Sequence, residues 1–330
     1  MAQTHDKLVV SASPHRVTTT DTTKIMGMVL LALFPALAVG VYQFGFRAAL
    51  LVATCIISSV AFEALYNVIT KRPQTIGDLS AVLTGAILAF LLPAGLPLWI
   101  GVIGSFFAII VVKQIFGGLG KNIMNPAITA RAFLLISFAT DMTKYPLANS
   151  RQAKNQAADA ISTATPLDEL FHGTLDTVTA SNADLLLGNI GGSIGEISAI
   201  ALVLGAAFLL YKRVITWHAP VAFIGTLFVL GFAWGGLHGA IFHILAGGAL
   251  FGAIFCATDY TTTPTMPLGK IIFGVGAGAI TMLIRLFASY PEGILFGILL
   301  MNIVTPYIDR FTEYLYVRKY AKKLAPKEAK

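Results

Sequence analysis

Ser80-Ala81-Val82-Leu83-Thr84-Gly85-Ala86-Ile87-Leu88-Ala89-Phe90-Leu91-Leu92 is an apolar run that halts at Pro93. At 1.5 Å per residue such a helix covers about 20 Å, short of the ~30 Å of bilayer hydrocarbon. A second short run, Pro126–Ala139, opens on Asn125-Pro126. Non-helical backbone at membrane depth is tolerated only where it is buried in protein or lines a cavity. Both runs are therefore predicted to be half-helices completed by unwound chain.

Outward from these pieces, further apolar segments fall at 25–44, 47–69, 98–116, 194–211, 217–234, 239–257, 270–288 and 292–309. With 56% hydrophobic and only 12% charged residues, and a mean hydropathy of +0.77, the chain is too apolar for a soluble domain. An open sheet would leave backbone groups unpaired in lipid, and the alternation of an outer-membrane barrel is absent. The expectation is an all-α polytopic membrane protein with about ten transmembrane helices. Its parts are a tail 1–24, a first five-span block 25–139, a polar loop 140–192, a second five-span block 193–310 and a basic tail 311–330. Two blocks with an odd number of spans give a 5+5 inverted repeat with broken half-helices. A faint internal match, Val82–Ile87 against Leu245–Leu250, points the same way, as do Asn125-Pro126 and Asn302 with Pro306, late in their blocks.

The net charge of +7 sits largely in the tail, at Arg318, Lys319, Lys322, Lys323, Lys327 and Lys330. That position beside the last span reads as an orientation signal in a lipid bilayer and not as nucleic-acid binding. Placing both termini in the cytoplasm puts Lys7, Arg16, Lys24, Lys71, Arg72, Lys113, Lys121, Lys212, Arg213 and Lys270 inside. Only Arg47, Lys144, Arg151 and Lys154 then lie outside. The loop 140–192 is extracytoplasmic on this reading. No cleavable signal peptide is apparent at the start of the chain. Cys55 and Cys256, far apart in apolar segments, do not make a metal or cluster site by themselves and read as small buried residues.

Ionisable residues within spans are costly and tend to be paired or functional. Glu63, Arg131 and Arg285 qualify. Lys71 is the near partner for Glu63 in sequence, and the arginines have either a carboxylate or helix-end carbonyls to satisfy them. His218, His238 and His243 read as packing or interfacial residues, and Trp99, Trp217 and Trp234 as belt aromatics. Two hydroxyl-rich segments, Thr75–Gly85 with Asp78 and Thr84, and Ala257–Pro267 with Asp259, suit either turn and cap chemistry or a polar ligand held at broken helix ends. The glycine-rich stretch Phe116–Asn125 lacks a Gly-Lys-Ser/Thr ending and is not a nucleotide-triphosphate loop.

In the polar loop, Asp159-Ala160-Ile161-Ser162-Thr163-Ala164-Thr165 resembles the sequence read by bacterial flavin transferases, with Thr163 where glycine is usual. The acceptor hydroxyl would be on Thr165, with Asp159, Ser162 and Ala164 as recognition positions. The chemistry calls for an exposed hydroxyl on loose backbone beside a small neighbour. Asp78-Leu79-Ser80-Ala81 through Gly85, Lys113-Gln114-Ile115-Phe116-Gly117-Gly118-Leu119-Gly120-Lys121-Asn122 with Asn125-Pro126-Ala127, Ala164-Thr165-Pro166-Leu167 and Ala257-Thr258-Asp259 together resemble the RnfD/NqrB family. Its RnfD members are membrane subunits of the Rnf complex, an ion-translocating ferredoxin:NAD oxidoreductase. Its NqrB members belong to the sodium-pumping NADH:quinone oxidoreductase and carry a longer cytoplasmic extension.

The resemblance implies a multi-pass subunit of the bacterial inner membrane carrying electrons between the two faces, coupled to Na⁺ or H⁺ movement and not catalytic alone. It implies FMN joined by a phosphoester to Thr165 and a second, non-covalent flavin, riboflavin, nearer the cytoplasm. The resemblance carries over no residues for that second flavin; the broken helix ends offer Asp78, Thr84, Asn125 and Asp259 as its candidate region. The implied partners are the other Rnf subunits: a membrane pair sharing an iron–sulfur cluster, the FMN-bearing RnfG, and the NAD- and ferredoxin-interacting subunits. A flavin transferase would mature the chain. A flavin-independent secondary transporter or channel is the rival reading, for which an inverted repeat is equally suited.

Overall fold

The computed structural model of the chain describes residues 21–146, 162–173, 175, 178–288 and 293–324. It is helical nearly throughout. α1 (Thr22–Phe44) and α2 (Phe46–Ile69) are joined at Gly45, whose φ of 74° reverses the chain. After a short 3₁₀ turn come α3 (Ser80–Phe90) and α4 (Leu98–Phe106), which continues as π-helix through Phe107–Gln114. α5 (Pro126–Ser137) and α6 (Ala139–Met142) close the first block. Across the polar loop, β1 (Tyr145–Pro146) pairs antiparallel with β2 (Ser162–Thr163), followed by α7 (Pro166–His172) and α8 (Asn182–Leu187). The second block holds α9 (Ala199–Tyr211), α10 (His218–Leu245), α11 (Ala249–Phe251) running into π-helical Gly252–Cys256, α12 (Pro267–Phe287) and α13 (Ile294–Leu324).

Five of these helices, α1, α2, α10, α12 and α13, are long and apolar enough to cross a membrane alone, and four shorter apolar helices accompany them. The half-helix expectation holds for 80–92 and 126–139. The expected single span 239–257 does not form. α10 breaks at Gly235 and Gly236 (φ 61°, ψ −157°), resumes to Leu245, and is separated from α11 by Gly247 and Gly248, both at positive φ. The break at Gly235–Gly236 falls between the expected segments 217–234 and 239–257. Positive φ costs glycine little and other residues much, so Gly247 and Gly248 interrupt the run 239–257 that hydropathy alone sees as continuous. The internal match of 82–87 with 245–250 is likewise corrected: the first lies inside α3, the second straddles a helix end and a turn.

The core lies where the half-helices meet. Phe90 at the end of α3 stacks on Phe251 of α11 with centroids 5.9 Å apart, the offset geometry that aromatic pairs favour. α3 presses on α2 through Gly85, where an added Cβ would sit 2.6 Å from the Cys55 carbonyl oxygen and 2.9 Å from Ile56 Cα. The last carbonyls of α3 would be orphaned at membrane depth. They are met instead by the chain ahead of α9: Gly195 N–H donates to Phe90 C=O (2.7 Å) and Ile194 N–H to Leu92 C=O (3.2 Å). The predicted segment 194–211 is therefore helical only from Ala199.

Candidate functional site: a cleft between the broken helices

Two of the short helices, α3 and α11, open on backbone of the same hand. Leu79 (φ 61°) precedes α3 and Gly248 (φ 68°) precedes α11. A left-handed leucine is uncommon, and Asp78 supports it by accepting from Ser80 N–H (2.8 Å) and Ser80 Oγ (2.6 Å). Asn125 caps α5, its Oδ1 accepting from Ala127 N–H (3.1 Å) and Ile128 N–H (3.3 Å). In the amide orientation that satisfies both partners, Asn302 of α13 accepts from Asn125 N–H and donates to Thr262 C=O, each at 3.2 Å. The two asparagines singled out as late markers of their blocks thus meet at the centre of the fold.

Between these ends lies a cleft. Its polar wall carries Ser80, Thr84, Lys113, Asn122, Asn125 and Asp259; Ile87, Leu119, Ile254 and Phe255 are on the apolar side. Three of the four sequence candidates, Thr84, Asn125 and Asp259, line it. Asp78 does not, because its carboxylate is turned to the cap of α3. Asp259 is held by hydroxyl donors from Thr261 and Thr262, both at 3.1 Å. Burial pushes its carboxyl above the ordinary range, and those hydrogen bonds pull back against the rise. Asn122 Nδ2 bridges to Thr261 Oγ1 at 3.0 Å, joining the two blocks over the cleft.

Sequence reasoning misses Lys113, which it places at the cytoplasmic surface. The residue is 2% exposed, and its Nζ donates to Glu63 Oε2 (2.9 Å) and Ser80 Oγ (2.6 Å). Glu63 accordingly pairs with Lys113 and not with Lys71. Its other oxygen accepts from Thr75 Oγ1 (2.8 Å) and Gln114 Nε2 (3.0 Å). A buried ion pair survives where added hydrogen bonds offset its desolvation. Arg131 pairs with Glu196 at 3.3 Å, and Arg285 donates to the carbonyls of His243, Ala246 and Gly247 at the break after α10. Cys55 and Cys256 are buried singly, as expected.

Asp159 lies outside the described residues. Ser162 is placed by backbone pairing with Pro146, and Ala164 is exposed. Thr165, expected to offer an exposed hydroxyl, is 7% exposed. It is the N-cap of α7, its Oγ1 accepting from Asp168 N–H at 3.2 Å. The proline at the first position of α7 and a β-region threonine before it are a favoured helix start. Leu167 then anchors α7 in a small apolar cluster with Leu185, Ile190, Phe242 and Ala246.

The model of the NQR2, RnfD, RnfE family matches residues 9–317. The chain belongs to that family. Among its relatives is a subunit, lettered D, of the Na(+)-translocating ferredoxin:NAD(+) oxidoreductase complex of Acetobacterium woodii, 47% identical with 98% of each chain covered. The subunit of the same letter in the proton-translocating ferredoxin:NAD(+) oxidoreductase complex of Clostridium ljungdahlii is 44% identical over 92% of this chain and 94% of that one. Its counterpart in an ion-translocating oxidoreductase complex of Halorhodospira halophila is 36% identical over 91% and 92%. The family model takes in both half-helices and Thr165.

Proposed function

We propose that the chain is the electron-carrying membrane subunit, of RnfD type, in an ion-translocating ferredoxin:NAD⁺ oxidoreductase complex. It bears FMN on Thr165 and a second, non-covalent flavin, riboflavin, in the cleft. The observation that carries the second site is the cleft's chemistry. Hydroxyl and amide groups, with Lys113 and Asp259 beside them, and aliphatic and aromatic side chains together line the cleft, a mix that suits an uncharged ring with a polyol chain, as in most small-molecule sites. Thr84, Asn122 and Asn125 would hold the polar edge and chain, while Ile87, Ile254 and Phe255 pack the ring and exclude water. At Thr165, the Asp168 N–H that already donates to Oγ1 is a donor a phosphoester oxygen can take over, and exposed Ala164 leaves room beside it. When bound, the flavins supply one- and two-electron redox chemistry that no side chain offers.

Two centres answer a distance problem. A single flavin at one surface would leave electrons to cross about 30 Å of hydrocarbon, whereas a site among the broken helix ends divides that path. Ten crossings related as an inverted repeat, with both termini cytoplasmic and Thr165 outside, fit this division. The repeat is supported by α3 and α11, which both start after a left-handed residue and meet through Phe90 and Phe251. The other Rnf subunits would supply ferredoxin oxidation, the iron–sulfur step and NAD⁺ reduction. The relatives' names divide between Na⁺ and protons, so the coupling ion stays open between the two.

Peptide mass spectrometry of the native chain should find one FMN, added with loss of water, on the fragment holding Thr165. Thr165→Val should abolish that mass and the in-gel fluorescence while the chain stays in the membrane and keeps an acid-extractable flavin. An unmodified Thr165 in chain coexpressed with its transferase sinks the covalent assignment.

A further inference from the structure

The cleft sees only one end of the buried ion pair. Lys113 is on its wall and Glu63 is not, although the two are 2.9 Å apart with side chains 3% and 1% exposed. Glu63 is fixed from behind by Thr75 and Gln114, so the pair is an oriented dipole with its positive end toward the ligand space. The π-helical stretch Phe107–Gln114 makes this possible. It turns consecutive residues, Lys113 and Gln114, onto the same carboxylate, and π-bulges concentrate at functional sites. The other π-helical stretch, Gly252–Cys256, faces the same cleft through Ile254 and Phe255. Ser80 Oγ, which accepts from Lys113 and donates to Asp78, holds the ammonium on the cleft wall. Asp259 is the opposite charge lining the cleft, so the positive end is local to the α3–α4 side.

We propose that Lys113, anchored by Glu63, sets the reduction potential of the flavin held in the cleft. This inference rests on the proposed occupancy of that cleft. Each electron that enters brings one negative charge, with no covalent bond made or broken. It comes from the preceding redox centre of the complex and leaves for the next. In a site shielded from water, a nearby fixed cation stabilises that charge far more than at a surface. Lys113 is thus a positioning and tuning residue and gives up no proton in the step.

The test uses the full-length Thr165→Val chain in lipid nanodiscs, where only the extractable flavin titrates. Lys113→Gln alone strands a buried carboxylate and is avoided. The double variant Lys113→Gln/Glu63→Gln removes both charges and keeps amide hydrogen bonds. It should retain flavin, while the ratio of reduced to oxidised flavin at fixed potential falls about tenfold, equivalent to about 59 mV for a one-electron couple. Glu63→Gln alone removes the counter-charge but leaves the ammonium hydrogen-bonded to Ser80 Oγ on the cleft wall, so it is not stranded as the carboxylate would be, and it should move the ratio the other way. Bound flavin with no shift in either variant, or shifts of the same sign in both, overturns the proposal. Flavin lost from the double variant also overturns it, since Lys113 would then act in retention. If the Thr165→Val parent itself carries no extractable flavin, the failure belongs to the cleft assignment instead.

Discussion

Asn125 makes three contacts on two helices: it caps α5, accepts Thr129 Oγ1 of the same helix at 2.7 Å on its carbonyl, and meets Asn302 of α13 through its N–H. Asn125→Ala should cost about 1 kcal/mol from the lost cap, read as a lower thermal midpoint, and should reduce extractable flavin by removing a polar group from the cleft wall. Asn125→Asp keeps the cap and should recover most of the midpoint, so the two measurements separate stability from binding. Asn125 and Asp259 are legible in the sequence because each sits beside a helix breaker, Pro126 or the Thr/Pro loop, where a polar side chain has an evident local task. Lys113 is not, since its partner Glu63 lies 50 positions away and the π-helix that turns it inward leaves no periodic trace. The burial of Thr165 is hidden similarly: its cap is local, but Leu167 packs against residues from 185 to 246.

Among elements, α10 and α3 give contrasting tests of what glycine does. At Gly236, with φ 61°, an added Cβ would meet nothing within 4 Å. With ψ at −157° the residue sits in a region that essentially only glycine adopts, so Gly236→Ala should destabilise through backbone strain alone, by about 1–3 kcal/mol, and Gly236→Asn should cost as much. Gly85 is ordinary helix but in contact with the Cys55 carbonyl and Ile56 backbone. Gly85→Ala must push α3 from α2, and overpacking costs about 1–3 kcal/mol. Its signature should be altered flavin content as well as a lower thermal midpoint, because α3 carries Ser80 and Thr84 into the cleft. Proline and hydropathy reveal where α3 and α5 stop, and the gap between the segments 217–234 and 239–257 marks the break at Gly235–Gly236. They cannot reveal the turn at Gly247–Gly248, because glycine is compatible with a packed helix and with its interruption alike.

For the whole molecule, orientation rests on surface charge, and the buried Lys113 does not count toward it. Lys71, Arg72, Lys121, Lys212 and Arg213 are exposed, and the charge pattern puts all of them on one face. On the other face stand Lys144 and the capped helix α8, whose Ser181 and Asp184 hold each other in a closed box; those hydrogen bonds keep the exposed Asp184 carboxyl below its ordinary range. On the proposed orientation the positive excess marks the face of Lys212 as cytoplasmic. Ala183, exposed on α8, and Lys212, exposed just past α9, bracket the run that begins with the irregular chain 192–198 and ends with α9. In a Cys55→Ala/Cys256→Ala background, Ala183→Cys should react with a membrane-impermeant maleimide applied to whole spheroplasts. Lys212→Cys should react only after permeabilisation. Labelling of both positions from outside would mean that α9 with its lead-in does not cross. Labelling of Lys212→Cys alone would invert the molecule and put Thr165 in the cytoplasm, leaving the covalent flavin and the cleft with their assumed sides exchanged.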